Sequence, residues 1–233
     1  MTAVRIVAAG DAAIVAEFDE RIDPQVNART LALANALRAA SIAGVRDIVP
    51  TFRSVAVYFD PLATDITMLR AYVRQVSARE FDASVESASS VEIPVCYDRE
   101  FAVDIDEVSA FAGGLSSEDV IALHTASTYR VFMLGFAPGF AYLGSVDARI
   151  ALPRRASPRL QVPAGSVGIA GQQTGIYPMD SPGGWNIIGR TPLRMVSLNG
   201  PDPSLLKPGD EVRFRRVSRQ EFDAIVASQE RLV

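Results

Sequence analysis

The first third of the chain alternates between short apolar runs and stretches in which apolar residues recur at helical spacing. The short runs predict four strands, at residues 4–9, 13–18, 45–49 and 54–59. Helical spacing predicts one helix that begins after Asp23-Pro24 and a second that begins near Thr64-Asp65. We therefore expect a small α+β unit in the order ββαββα.

A second region follows a stretch of small polar residues, 82–90, which has the composition of a linker. A strand at 91–97 and two short helices, at about 104–112 and 117–126, are predicted next. From Gly135 to Pro192 the pattern changes, because these 58 residues contain 10 of the 16 glycines and 7 of the 14 prolines. Short apolar strands between such corners favour a β-barrel or a sandwich.

These patterns predict two domains, residues 1–82 and residues 91–233. The first is an α+β domain and the second is mainly β. Near the end of the chain, a Pro-Gly turn precedes a predicted strand at 211–217. The capping-box pattern from Ser218 to Glu221 then predicts a last helix.

The composition excludes several kinds of protein and of site. The net charge of −4 argues against a nucleic-acid binder, because such proteins usually carry net positive charge or a basic stripe. Cys96 and His124 are the single residues of their types, which excludes an internal disulfide, a multi-cysteine site and a metal site with two histidines. Lys207 is the single lysine and follows a leucine, so the sequence has no Walker A lysine.

The chain shows no apolar run of membrane-spanning length and no signal-peptide pattern at its start. We therefore expect a cytoplasmic protein without membrane contact. Its charge is nevertheless uneven, because residues 149–233 include 12 basic and 7 acidic residues. This balance favours anionic partners for the second half of the chain.

The glycine- and proline-rich region carries the candidate chemistry. Arg154, Arg155 and Arg159 lie on one proline-bounded loop, and their planar guanidinium groups suit a carboxylate or a phosphate. Arg190 lies in a later glycine-containing corner. Glycine and proline let such loops approach a ligand closely and hold their shape. The alternative is that these segments are ordinary barrel corners with solvated or ion-paired arginines, and the residues alone leave both interpretations open.

His124 and Trp185 each allow two interpretations. A histidine can act as a general base, but the position of His124 near the end of a predicted helix favours a side chain that bonds the last carbonyl groups. Trp185, beside Gly183-Gly184, is either the wall of a pocket or a core residue, and its size favours the core. Cys96 lies on an apolar strand and is expected to be inert.

Six short motifs stand in one order in the second half of the chain. They are Gly-Phe-x-Pro-Gly-Phe-x-Tyr-Leu from 135, Pro-Arg-Arg-x-x-Pro-Arg from 153, Val-Pro-Ala-Gly-Ser-Val from 162, Gln-Thr-Gly-Ile-Tyr-Pro from 173, Ser-Pro-Gly-Gly-Trp from 181 and Ile-Gly-Arg-Thr-Pro from 188. Together they resemble the allophanate hydrolase subunit 1 family. That family includes the B subunit of bacterial ATP-dependent 5-oxoprolinase and the Kip-type inhibitors of sporulation histidine kinases.

The resemblance implies an N-terminal ferredoxin-like α+β domain followed by a cyclophilin-like β-barrel domain. It implies a chain that opens 5-oxoproline to glutamate together with the A and C subunits of 5-oxoprolinase, and that is inactive without them. The C subunit is a protein like allophanate hydrolase subunit 2. ATP is then bound by or with those partners, and this chain holds no metal and no biotin attachment site.

Two alternatives to this role stay open. The first is a carboxyltransferase component of a biotin-dependent urea or amide carboxylase, which requires a partner that carries biotin. The second is a non-enzymatic inhibitor of a sensor histidine kinase. The six motifs identify the family but do not separate these members from one another.

The motif match also implies a pocket for a small amide that carries a carboxylate. Its catalytic candidates are His124, Arg155, Gln173 and Tyr177. Its substrate-binding candidates are Arg154, Arg159, Ser181, Gly183, Gly184, Trp185 and Arg190. In such a pocket an arginine binds the carboxylate, while N–H groups of the glycine loops stabilise charge on the lactam oxygen. We expect the four arginines to surround one cavity, which a partner chain completes.

Overall fold

The computed structural model describes residues 4–79, 89–197 and 203–230. The chain divides into two compact units, residues 1–87 and 88–233. Each unit has a hydrophobic core of its own. The predicted linker at 82–90 lies outside the described residues as far as residue 88, and Ser90 already belongs to a strand.

The first unit consists of four strands and two helices. Its elements are β1 (Arg5–Ala8), β2 (Ala13–Glu17), α1 (Pro24–Ala39), β3 (Val45–Pro50), β4 (Ser54–Phe59) and α2 (Ile66–Ser77). The strands lie in the order β1-β2-β4-β3, and each neighbouring pair is antiparallel. The predicted order ββαββα is confirmed.

Aspartate side chains begin both helices of this unit. Asp23 accepts hydrogen bonds from the backbone N–H groups of Gln25 and Val26, at 2.8 and 3.1 Å, and Pro24 occupies the first helical position. Asp65 caps α2 in the same way. Apolar side chains of both helices then share one buried cluster with those of β2 and β4, which fixes the helices on the sheet.

The second unit is mainly β, as predicted. Its elements are β5 (Ser90–Val95), α3 (Ile105–Phe111), α4 (Ser117–Ala126), β6 (Thr128–Leu134), β7 (Ala141–Gly144), a 3-10 helix (Ala148–Ile150), β8 (Arg159–Val162), β9 (Ser166–Ala170), β10 (Gln173–Ile176), β11 (Ser181–Gly183), β12 (Asn186–Arg190), β13 (Glu211–Arg216) and α5 (Arg219–Glu230). Strands β11 and β8 form a small antiparallel sheet of their own.

The other seven strands form a curled, mixed half-barrel sheet. Their order is β12-β9-β10-β7-β6-β13-β5, and β13 runs parallel to β5. The edge strands meet at one residue pair, because Cys96, directly after β5, and Arg190, at the end of β12, exchange two backbone hydrogen bonds of 2.9 Å. The edges of the half-barrel therefore touch at this end, which leaves fewer unpaired backbone groups there.

The short strands β8, β10 and β11 do not follow from the apolar pattern of the sequence. Strand β11 reads Ser-Pro-Gly and β10 reads Gln-Thr-Gly-Ile, so neither shows a clear alternation of apolar and polar residues. Pairing with distant residues holds them instead, as where Gly183 lies opposite Arg159. Among the described residues, no helix combines the length and the apolar character needed to cross a membrane.

Candidate functional site

Five aromatic rings from three of the motif segments pack together in the second unit. Phe140 lies at the centre, with ring centroids 4.9 Å from Tyr142, 5.2 Å from Tyr177 and 5.3 Å from Trp185, all in edge-to-face geometry. Phe136 adds a fifth ring, 5.4 Å from Phe140. Each such pair contributes about 0.5–1.5 kcal/mol beyond the burial of its area. We call these five residues the ring cluster.

Phe136 differs from the other members of the ring cluster. The residue is 63% exposed, and its backbone has a φ of 70°, in the left-handed region that a bulky residue rarely adopts. Strained residues of this kind concentrate at functional sites. Phe136, Phe140 and Tyr142 were not among the candidates predicted from the sequence, although the regular spacing of aromatic residues in the first motif was a usable signal.

The glycines of the motifs allow the rings to approach the backbone. A β-carbon on Gly183 would lie 2.7 Å from both Cε1 and Cζ of Tyr177, closer than atoms pack. A β-carbon on Gly175 would lie 3.0 Å from Cζ3 of Trp185. Neither glycine has a positive φ, so close approach and not backbone conformation requires glycine at these two positions.

We expect Gly183→Ala to lower the free energy of unfolding by about 1–3 kcal/mol, because the added methyl group overpacks against Tyr177. Gly184→Ala is the matched control. Its β-carbon would meet only ordinary contacts, the nearest 3.7 Å away on Pro158, so we expect a change within about 0.5 kcal/mol. Urea unfolding followed by the fluorescence of Trp185 measures both. Equal stability of the two variants would contradict the packing described above.

Arg154 supplies positive charge beside the ring cluster. Burial raises the pKa values of Tyr142 and Tyr177, and the charge of Arg154 acts in the opposite direction on both. The backbone of Trp185 likewise lowers the pKa of Tyr177, but burial has the larger effect. Both phenols therefore stay protonated at neutral pH. Arg154 itself is exposed, and among the described residues it pairs with no carboxylate.

Arg155 and Arg159 have an internal partner, Asp104. The Arg155 guanidinium lies 2.7 Å from Asp104 Oδ1, and two nitrogens of Arg159 lie 2.6 and 2.8 Å from the two carboxylate oxygens. The side chain of Asp104 is 1% exposed and also accepts a hydrogen bond of 2.7 Å from the N–H of Ile187. The backbone N–H of Arg155 donates to Gly184 O at 2.8 Å. Asp104 thus ties the arginine loop to the segment around Trp185.

The hydrogen bonds to Asp104 raise the pKa of Arg159, so this guanidinium stays charged. The sequence analysis predicted that these arginines bind the carboxylate of a ligand. In the structure, they bind the carboxylate of Asp104 in the same chain. No motif marks Asp104, which lies 51 residues before Arg155. Four arginines were expected to surround one cavity, but Arg155 and Arg159 are engaged inside the protein, which leaves Arg154 as the open arginine of this loop.

His124 is buried in the core of the second unit. Its Nδ1 lies 2.8 Å from the hydroxyl of Tyr97, and its Nε2 lies 2.9 Å from the hydroxyl of Thr174. Its ring also stacks on Phe214, with centroids 4.5 Å apart. Burial lowers the pKa of His124 to about 3, so the ring is neutral at physiological pH. The alternative that the ring bonds the last carbonyl groups of its helix is wrong, since both nitrogens face hydroxyl groups.

The remaining candidates lie at different places in the second unit. Ser181 pairs with Val162 in the small sheet, and its hydroxyl oxygen is buried. Gln173 begins β10, opposite Gly144, and is half-buried. Arg190 contacts Ala164 and the Phe101 ring instead of the ring cluster. The structure thus gathers Arg154, Tyr177, Gly183, Gly184 and Trp185, and it places His124 and Arg190 elsewhere.

Cys96 is buried, and burial raises the pKa of its thiol, in line with the inert residue expected from the sequence. Across residues 4–79, 89–197 and 203–230, no group of three or more histidine, cysteine, aspartate or glutamate side chains is arranged to hold a metal ion.

Comparison with known proteins identifies the family. A sequence model of the carboxyltransferase domain, subdomain C and D, matches residues 4–206. The chain belongs to this family. The 5-oxoprolinase B subunit of Bacillus subtilis is 40% identical over 225 residues, which cover 92% of this chain and 93% of that protein. The resemblance to the allophanate hydrolase subunit 1 family is thereby confirmed.

Solved structures share the architecture. The crystal structure of TTHA0988 has a TM-score of 0.78 and 40% identity, and the match covers 88% of this chain and 40% of that one. The K. lactis urea amidolyase has a TM-score of 0.79 with 21% identity, over 97% of this chain and 15% of that one. The second likeness concerns the fold alone. Both support a two-domain, carboxyltransferase-like fold.

Proposed function

We propose that this chain is the B subunit of a multi-subunit 5-oxoprolinase, which opens 5-oxoproline to glutamate with ATP. The observation that carries the proposal is the 40% identity to the Bacillus subtilis protein of that name over nearly the whole length of both chains. In this role the chain works in the cytoplasm with the A subunit and with the C subunit, the latter a protein like allophanate hydrolase subunit 2. ATP is bound by or with those partners, in agreement with a sequence whose single lysine, Lys207, lies outside any Walker A motif.

The ring cluster with Arg154 is the site we propose for the substrate. 5-Oxoproline is a neutral lactam ring with one carboxylate. The exposed ring of Phe136 suits its flat ring, and the exposed Arg154 suits its carboxylate. Gly183 lies against Tyr177, and we propose that its backbone, together with Ser181 of the same strand and the adjacent Gly184, orients the lactam. Phe136 and Arg154 are exposed at the border of the cluster and are open to a partner chain, which supports the proposal that the chain alone is inactive.

The other motif residues take different parts in this proposal. We propose that Arg155 and Arg159 fix the arginine loop through Asp104, and that the buried Trp185 and Tyr177 support the exposed Phe136 ring through Phe140. The catalytic roles suggested for His124, Arg155, Gln173 and Tyr177 stay predictions. The full burial of His124 favours a packing role for it, because a base needs contact with the group that it deprotonates.

The names ferredoxin-like and cyclophilin-like are also proposed for the two domains. The order ββαββα of the first unit equals the ferredoxin-like order βαββαβ with its last strand moved to the front. The curled half-barrel of the second unit, with its touching edges, supports the barrel name.

Reconstitution tests the proposed function. The chain is purified alone and together with proteins like the A and C subunits of 5-oxoprolinase, and glutamate release from 5-oxoproline is measured with and without ATP. We expect release only from the complete mixture with ATP. Absence of release from the complete mixture, with all three chains folded, would contradict the proposal.

A carboxyltransferase role is the second candidate. The family description and the fold shared with urea amidolyase favour it. It requires a partner that carries biotin, because this chain has no biotin attachment motif. Transfer of a carboxyl group to urea or another amide by a mixture containing a biotin-carrying protein, in place of ATP-dependent glutamate release, would decide for this candidate.

A further inference from the structure

A hollow of about 500 Å³ lies where the edges of the half-barrel meet. This size is within the range of about 300–1,000 Å³ that is typical of small-molecule sites. None of the ring-cluster residues lines it. Its lining is mixed, and the apolar part comes mainly from Pro178, Pro192, Leu193, Val196, Phe222 and Val226.

Two arginines line this hollow. The Nε of Arg190 donates to Ala164 O at 2.8 Å, and its Cζ lies 5.7 Å from the centroid of the Phe101 ring, so the guanidinium is held while its terminal nitrogens are left for a ligand. Arg194 is exposed at the same hollow. Among the described residues, neither arginine forms an ion pair with a carboxylate, in contrast to Arg155 and Arg159.

The acidic side chain near the hollow, Asp180, accepts hydrogen bonds from groups outside the two arginines. No described residue that lines it is acidic. Asp180 is close enough to be affected by Arg190, but its two oxygens accept hydrogen bonds from the Ala164 N–H at 2.8 Å and the Gln161 side chain at 3.1 Å. The Ala164 N–H, the Gln161 amide and the charge of Arg190 all lower the pKa of Asp180. Asp180 therefore stays ionised and offsets part of the Arg190 charge, but with Arg194 as a second cation and no acidic residue in the described lining the hollow keeps a net positive character.

The backbone around the hollow is built by three of the motifs. Gly165 has a φ of 80°, and a β-carbon there would lie 2.5 Å from Thr191 O, so this position requires glycine. The Thr191 N–H donates to Gly165 O at 2.9 Å. The side chain of Gln229, on α5, accepts a hydrogen bond from the Arg194 N–H at 3.3 Å and donates one to Pro192 O at 3.2 Å. These two bonds attach α5 to the segment that carries Arg194. The two arginines are thus placed on a fixed frame.

We propose that this hollow is a second binding site, for a small organic carboxylate with an apolar body. The guanidinium groups of Arg190 and Arg194 bind the carboxylate in forked geometry, and the proline- and leucine-lined walls contact the body. The site is independent of the ring cluster and of the proposed 5-oxoprolinase function. Arg190, which the motif match grouped with the other arginines, serves this site.

Calorimetric titration of the full chain tests the proposal with three probes: cyclopentanecarboxylate, the uncharged cyclopentanecarboxamide and inorganic phosphate. We expect the carboxylate to bind at least about tenfold more tightly than the amide, because charge-assisted hydrogen bonds distinguish the two. Equal binding of carboxylate and amide, no binding of the carboxylate, or binding of phosphate in its place would overturn the proposal.

Variants locate the binding. Arg190→Gln and Arg194→Gln are each expected to weaken carboxylate binding at least about tenfold. Arg213→Gln, an exposed arginine on β13 that bonds Thr128, is expected to bind like the unmodified chain. Trp185 fluorescence reports whether each variant is folded. If Arg190→Gln does not fold, the Arg194→Gln variant alone tests the site. An unchanged carboxylate affinity of that variant would refute the proposal.

Discussion

Replacement of Asp104 by asparagine is expected to lower the free energy of unfolding by about 3 kcal/mol, at the lower end of the range for a broken buried ion pair. The side chain of Asp104 is 1% exposed, while those of Arg155 and Arg159 are 31% and 28% exposed. Partial exposure lets water compensate some of the lost charge on the arginines. An asparagine keeps one acceptor oxygen and turns an N–H₂ group toward the guanidinium donors. The fluorescence of Trp185 reports the unfolding, because Trp185 is the single tryptophan and lies buried in the same unit.

Asp106→Asn is the matched control for this prediction. Asp106 lies on the helix that Asp104 precedes and pairs with Arg99, but its side chain is 61% exposed. Exposed pairs contribute little, so we expect a change within about 0.5 kcal/mol. Urea unfolding of both variants, followed by Trp185 fluorescence, separates the two cases. An Asp104 variant as stable as the Asp106 variant would show that the arginine loop does not depend on its buried carboxylate.

Acid is expected to destabilise the second unit through His124. Its pKa is about 3 in the folded protein and 6.5 in the unfolded chain. Below pH 6.5 the unfolded state therefore binds a proton that the folded state does not, so stability is fully present above pH 6.5 and falls toward pH 3. The expected loss is about 1.4 kcal/mol for each pH unit within this window.

His124→Gln isolates this contribution. The variant has no ring to protonate, so we expect a shallower fall of its unfolding free energy between pH 6.5 and pH 4.5, by roughly 2–3 kcal/mol in total. The comparison concerns the slope with pH and not the absolute stability, since the variant also loses the stacking on Phe214. Urea titrations at several pH values measure both slopes. Parallel slopes would mean that His124 takes up its proton as readily in the folded protein as in the unfolded chain, which would contradict the lowered pKa.

Local chemistry made the secondary structure of the first unit predictable. Asp23-Pro24 and Asp65 begin helices because a short acidic side chain caps free N–H groups, whatever the rest of the fold does. Strand β4 was predictable because Val55, Val57 and Phe59 alternate with less buried residues. In the second unit, β11 lacks such a pattern, and pairing with β8 decides its conformation.

The candidate site was predictable in its region but not in its contacts. The motif glycines marked the correct segments, because Gly175 and Gly183 are required wherever a ring presses on the backbone. The pairing of Asp104 with Arg159 was not predictable, since it joins residues 55 positions apart with no shared motif. The burial of His124 likewise depends on Tyr97, Thr174 and Phe214, which converge only in the folded barrel.

We propose that 5-oxoproline binds at the ring cluster beside Arg154. Steady-state kinetics of ATP-dependent glutamate release by the complex with the A and C subunits test it, with Arg154→Gln in place of the unmodified chain. We expect kcat/KM to fall at least about tenfold, mainly through KM, because the substrate carboxylate loses a charge-assisted partner. Arg149→Gln, an exposed arginine paired with Asp147, is expected to leave the kinetics unchanged. Unchanged kcat/KM for Arg154→Gln in an active complex would contradict this location of the site.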